Sequence, residues 1–153
     1  MITFKQFRDG IQQAVYRIID IPVRGLVRLG ATPNMMTTVG LLGNLAAAAL
    51  IVRAGMCSLA ASTACYSLLG WAGVITLLFS IFDMVDGYMA RTAHMETRFG
   101  AFYDSVLDRY CELATLSALA FFFVQTGYTG FAISTFLALI GSVMVSYVRA
   151  RAE

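Results

Sequence analysis

Charge is what this sequence has least of. Of its 153 residues only 13% are Asp, Glu, Lys or Arg, while 59% are hydrophobic and the mean hydropathy is +0.74. So few ionisable groups cannot clothe a water-soluble surface, which excludes an ordinary soluble globular domain. A formal net charge of +2, with no basic stripe interleaved with aromatics, excludes a nucleic-acid partner. The three cysteines, Cys57, Cys65 and Cys111, show no CxxC or metal-ligand spacing and are expected as reduced thiols packed in or near helices. The opening MITFKQFRDG lacks the short basic region and continuous apolar core of a cleavable signal peptide. The single histidine, His94, reads as a solvated turn residue, and neither it nor a lone serine makes a convincing nucleophile.

What is abundant is apolar sequence in long runs. Stretches 35–52, 64–82 and 113–124 contain no charged residue, and each matches a bilayer span once its flanks are included. The expected architecture is an all-α integral membrane protein in a single domain, 1–153, with an N-terminal amphipathic interfacial helix (1–30) and a bundle (31–153) of about four transmembrane helices. Residues 3–29 place Phe4, Phe7, Ile11, Val15, Ile18, Val23 and Leu26 three to five apart, with basic and polar residues mostly between them. That pattern suits a helix lying along the membrane surface, with Pro22 a candidate bend. Thr32-Pro33-Asn34 supplies a cap and a helix-compatible proline, so the first span is predicted from about 34 to 52, ended by Arg53-Ala54-Gly55. Further spans are predicted over 66–91, 100–124 and 131–148, with Gly127 and Gly130 marking the tight connection between the last two.

Basic residues set the expected orientation. Lys5, Arg8, Arg17, Arg24 and Arg28 precede Pro33, Arg91 and Arg98 flank the turn after the second span, and Arg149 and Arg151 lie in the tail, whereas the opposite side has only Arg53. The positive-inside rule puts both termini and that turn in the cytoplasm of a multi-pass cell-membrane protein.

Against this background four aspartates stand out, Asp83, Asp86, Asp104 and Asp108. An ionised Asp at a helix centre costs about 2.5–3.5 kcal/mol, so four together cost up to roughly 10 kcal/mol before mutual repulsion. Something cationic has to offset them. Asp83 and Asp86 are three apart and Asp104 and Asp108 four apart, so each pair projects from one side of its helix. A short turn joins the two helices, which are expected to be antiparallel neighbours with both stripes facing one cavity. Arg91 and Arg98 offer a purely structural ion-pair network as one explanation. All-oxygen carboxylate clusters otherwise suit two hard divalent ions, Mg²⁺ or Mn²⁺, with open positions for phosphate oxygens, and a spare carboxylate can act as a base. Gly87 and Ala90 either let a ligand approach the backbone or let another helix pack closely, and Arg91 beyond them is a natural phosphate partner.

Asp83-x-x-Asp86-Gly87-x-x-Ala90-Arg91, then eight residues, then Gly100-x-x-x-Asp104-x-x-x-Asp108 resembles the full signature of the CDP-alcohol phosphotransferases: eight fixed residues over 26 positions. The likeness extends to Thr32-Pro33-Asn34 through Thr37. It implies transfer of a phosphatidyl group from CDP-diacylglycerol to an alcohol with release of CMP, a phospholipid-synthesising activity. By the same resemblance Asp83, Asp86 and Asp104 hold the two ions with Asp108 beside them, and Asp108 is the catalytic base. Asn34, Thr37, Asp83, Asp86, Gly87, Ala90, Arg91, Thr97 and Asp104 bind the CDP-lipid. The segment SYVRARAE, residues 146–153, resembles the phosphatidylinositol-phosphate and archaetidylinositol-phosphate synthase branch. This points to inositol 1-phosphate as acceptor, its phosphate held by Arg149 and Arg151. Those arginines read equally as membrane-side anchors. The family usually has six spans, so two C-terminal helices are expected to be missing from a truncated chain, and relatives suggest a homodimer.

Other readings remain open at this stage. The acceptor is alternatively glycerol 3-phosphate, serine or inositol. Intramembrane acids also mark cation or proton transporters, and a noncatalytic membrane-assembly subunit would explain missing helices but not the aspartate spacing.

Overall fold

The computed structural model describes residues 20–58 and 64–152, and among these every regular element is an α-helix. The first, α1, is helical over 20–28; it is followed by α2 (Pro33–Ser58), α3 (Ala64–Thr92), α4 (Arg98–Gln125) and α5 (Thr129–Ala152). The predicted interfacial helix therefore falls partly outside the described residues, and a bend at Pro22 depends on that outside part. Glycine closes α1. Gly30 takes φ +80, and the Ala31 amide reaches back to the Leu26 carbonyl at 3.0 Å, satisfying an end carbonyl that an L-residue there would strain to reach.

Pro33 occupies the first turn of α2, where its missing N–H costs nothing, and Thr32 Oγ1 accepts from the Met35 amide at 3.4 Å. The start was legible, but the end was not. Arg53-Ala54-Gly55 does not stop the helix, which runs on to Ser58. Gly55 instead marks a close crossing: a Cβ there would lie 3.1 Å from the Phe122 Cα of α4. Lipid tails are as apolar as leucine, so helices in a bilayer associate through such close van der Waals contact.

Helix α2 is the central post. It packs against α3 on one side and α4 on the other, and α5 packs on α4. Ala48, Ile51 and Ala54 of α2 meet Ala72 of α3 and Ala118 and Phe122 of α4 in one buried cluster. Near the other end of α2, Val23 of α1, Met36 and Met89 form a second cluster. Helices α3 and α4 share α2 without packing backbone to backbone, and their aspartates face each other across a cavity as expected.

Helices α2, α3 and α5 contain stretches long and apolar enough to cross a bilayer. The fourth expected span, α4, has 28 residues, roughly 42 Å at 1.5 Å per residue. It carries Asp104, Asp108, Arg109 and Glu112, all half-buried inside the bundle. Exposed Leu77, Leu78, Leu137 and Ile140 cover the outside. This is an all-α membrane protein. Cys57 is disulfide-bonded, which corrects the expectation of three reduced thiols, while Cys111 is free and half-buried.

Candidate functional site

The site lies where the C-terminal half of α3 faces the N-terminal half of α4. Helix α4 is started by Thr97, in extended conformation, whose side chain accepts from the Gly100 amide at 2.8 Å. The preceding turn passes through exposed His94 in the left-handed region at φ 54, a conformation histidine tolerates better than most side chains. From these two helices Asp83, Asp104 and Asp108 converge, one carboxylate oxygen of each lying within 4.8 Å of the others. Asp104 Oδ1 is buried without a hydrogen-bond partner, a costly state unless a ligand completes it. Three carboxylates on two helices with an orphaned oxygen among them match the donor set of a hard divalent cation.

Asp86 is outside that 4.8 Å trio but lines both cavities beside it, and is only 3% exposed. The Thr37 hydroxyl donates to its Oδ2 at 2.7 Å, with the Pro33 carbonyl as alternative acceptor at 3.1 Å. This bond ties α2 to α3. The Thr38 hydroxyl and the Tyr103 phenol, 2.9 Å apart, tie α2 to α4.

Two cavities flank the carboxylates. One, about 510 Å³, is lined by Asn34, Thr37, Asp86, Gly87, Ala90, Arg91, Thr97 and Asp104, together with Arg98 and Gly100. All the sequence-predicted CDP-lipid residues except Asp83 meet there. The other, about 470 Å³, contains Asp83 and Asp108 and runs toward Asn44, Arg109, Glu112 and Thr115. Thr37 and Asp86 border both. Gly87 can now be decided between its two readings. Among the described residues a Cβ there would meet only the Arg91 guanidinium, at 3.8 and 3.9 Å, so no described helix packs on it and it opens the cavity wall. Gly100 is tighter, its virtual Cβ 2.9 Å from Thr97 Oγ1 and 3.3 Å from Asn34 Oδ1.

Arg149 and Arg151 lie in the last turn of α5, both exposed, and line neither cavity. Sequence reasoning missed the polar floor of the second cavity. Arg109 is ion-paired to Glu112 and donates to Ser142 of α5 at 3.3 Å, joining α4 to α5. The available signal was spacing: Thr37 and Asn44 are seven apart on α2, one face of a span without charge.

Comparison with known proteins agrees with this geometry. The sequence model of CDP-alcohol phosphatidyltransferase matches residues 30–153. A phosphatidylinositol phosphate synthase of Mycobacteroides abscessus is 35% identical over 129 residues, covering 84% of this chain and 53% of that protein. The crystal structure of Mycobacterium tuberculosis phosphatidylinositol phosphate synthase with CDP-DAG bound superposes with a TM-score of 0.71 at 31% identity, covering 89% of this chain and 63% of that one. The same enzyme in complex with manganese and citrate gives 0.72 at 31% identity, covering 88% and 59%. The chain thus spans between about half and two thirds of the length of these relatives.

Proposed function

The chain belongs to the CDP-alcohol phosphatidyltransferase family, and on that premise we propose that it transfers the phosphatidyl group of CDP-diacylglycerol to inositol 1-phosphate, releasing CMP. The observation that carries this reading is the convergence of Asp83, Asp104 and Asp108 between two cavities, each large enough for a substrate. Asp83, Asp86, Asp104 and Asp108 would hold two divalent ions, Mg²⁺ or Mn²⁺, for which the orphaned Asp104 oxygen and the manganese bound by the tuberculosis relative are support. When bound, such ions neutralise pyrophosphate oxygens and stabilise a phosphate leaving group.

The chain's own residues do the rest. The cavity of Asn34, Gly87, Ala90, Arg91 and Thr97 receives the CDP moiety, Gly87 letting it approach the backbone and Arg91 pairing with phosphate. The acceptor enters from the cavity on the Asp83 and Asp108 side. Asp108 removes the proton of the acceptor hydroxyl, whose oxygen bonds to the phosphorus next to the lipid as the bond to the CMP oxygen breaks. Arg149 and Arg151, exposed in the last turn of α5 and outside that cavity, would draw the acceptor phosphate toward it by their charge. No covalent enzyme intermediate is needed. Both α3 and α4 are continuous through the acids, unlike the interrupted helices of a transporter site.

The enzyme is a single membrane domain acting as a homodimer, with the carboxylates and both termini on the cytoplasmic side. The clustered basic residues support that orientation. The disulfide-bonded Cys57 supports it too, because it sits at the end of α2 away from Thr37 and a disulfide persists in an oxidising compartment. The test is CMP release from CDP-diacylglycerol and Mg²⁺ with a panel of alcohols. Inositol 1-phosphate should give the fastest release; release with glycerol 3-phosphate, serine or inositol but not with inositol 1-phosphate would overturn the acceptor assignment.

A further inference from the structure

Beside the carboxylate site, a separate groove of about 740 Å³ runs between α1 and the C-terminal end of α3, from Asp20 and Arg28 on one side to Tyr88 and Ala93 on the other. Its charges do not balance. Among the described residues Arg24, Arg28 and Arg91 face one acid, Asp20, and that acid is already bound by Arg24 at 2.8 Å and by the Tyr88 phenol at 3.1 Å. Thr92 and the exposed His94 add only neutral or positive polarity at the rim, and Val23, Val27 and Ala93 make one wall apolar. The groove also sits at the edge of the bilayer: α3 ends its apolar span at Thr92, and α1 exposes Ile21 and Leu29 outward.

A cationic rim on an apolar wall at this depth has the chemistry of a lipid headgroup site, since basic pockets beside membrane helices bind anionic heads. A free phosphate would not need the apolar wall or the volume. We propose that this groove binds the phosphate of an anionic phospholipid of the surrounding leaflet, Arg28 and Arg24 holding the phosphate while Val23, Val27 and Ala93 receive the glycerol end. The site stands independently of the transfer reaction. Arg91 is left out of its test because it also lines the nucleotide-side cavity.

The purified protein in nanodiscs of phosphatidylcholine with a minor share of phosphatidylglycerol provides the measurement, native mass spectrometry counting the phosphatidylglycerol retained per chain. Arg28→Gln should weaken retention about five-fold, the usual effect of one arginine near a membrane surface. Asp20→Asn, which frees Arg24, should strengthen it by a similar factor. Ala93→Trp fills the groove while keeping every charge and should abolish retention, with circular dichroism showing that the helices persist; if that variant does not fold, the other two decide. Retention unchanged in a folded Ala93→Trp, whatever Arg28→Gln does, would mean diffuse surface attraction and overturn the site. Inorganic phosphate bound equally by wild type and Ala93→Trp, with no phosphatidylglycerol retained by either, would overturn the lipid assignment.

Discussion

Replacing Asp104 with asparagine should make the metal-free protein more stable and the metal-loaded protein less so. Asp104, Asp83 and Asp108 present oxygens within 4.8 Å of one another. At that distance each like-charged pair costs about 3.5 kcal/mol with an effective dielectric constant near 20. Asp104 takes part in two such pairs. Asp83 is exposed, and solvent and salt reduce the net relief to about 2 kcal/mol. No hydrogen bond to Asp104 Oδ1 is lost on substitution, because it has none. For a chain of this size about 2 kcal/mol corresponds to a melting temperature higher by about 4–8 °C in chelator. Manganese reverses the order. At about 100-fold above its dissociation constant a bound ion stabilises the wild type by about 2.7 kcal/mol, a gain Asp104→Asn forfeits. Circular dichroism melts in detergent, with EDTA and with Mn²⁺, measure both arms. An Asp104→Asn protein that melts below wild type in EDTA, or a wild type indifferent to Mn²⁺, would refute the reasoning.

Three further outcomes follow from contacts elsewhere. Gly43→Ala places a Cβ about where the Phe79 ring lies, 2.0 Å from Cγ; overpacking of this kind costs about 1–3 kcal/mol, read as a lower melting temperature. Gly100→Ala pushes on both Thr97 Oγ1 and Asn34 Oδ1. It should weaken the α4 cap by about 1 kcal/mol and raise KM for CDP-diacylglycerol more than it lowers kcat, whereas an unchanged KM would remove Asn34 from the donor cavity. Asp108→Asn should abolish CMP release while leaving CDP-diacylglycerol binding largely intact, and turnover near wild type would disqualify Asp108 as the base.

The aspartate cluster was legible because bilayers make charge expensive. Four aspartates in an apolar chain demand an explanation, and their spacing alone put each pair on one helix face. The capping at Thr32-Pro33 and the αL turn at Gly127, φ +78, were readable for the same local reasons. What escaped depends on neighbours far away in sequence. Gly55 looked like a terminator, yet it serves the crossing of α2 over Phe122. The separation of α3 from α4 needs α2 wedged between them, which no turn length reveals. Asn44 and the Arg109–Glu112 pair went unread, because only tertiary packing gathers them beneath the carboxylates.

Manganese titration of the purified protein, with bound ions counted by electron paramagnetic resonance, tests the central claim most directly. The account predicts two ions per chain, and loss of at least one in Asp83→Asn. A wild-type protein that binds no manganese, or one whose count is untouched by Asp83→Asn and Asp104→Asn together, would contradict it.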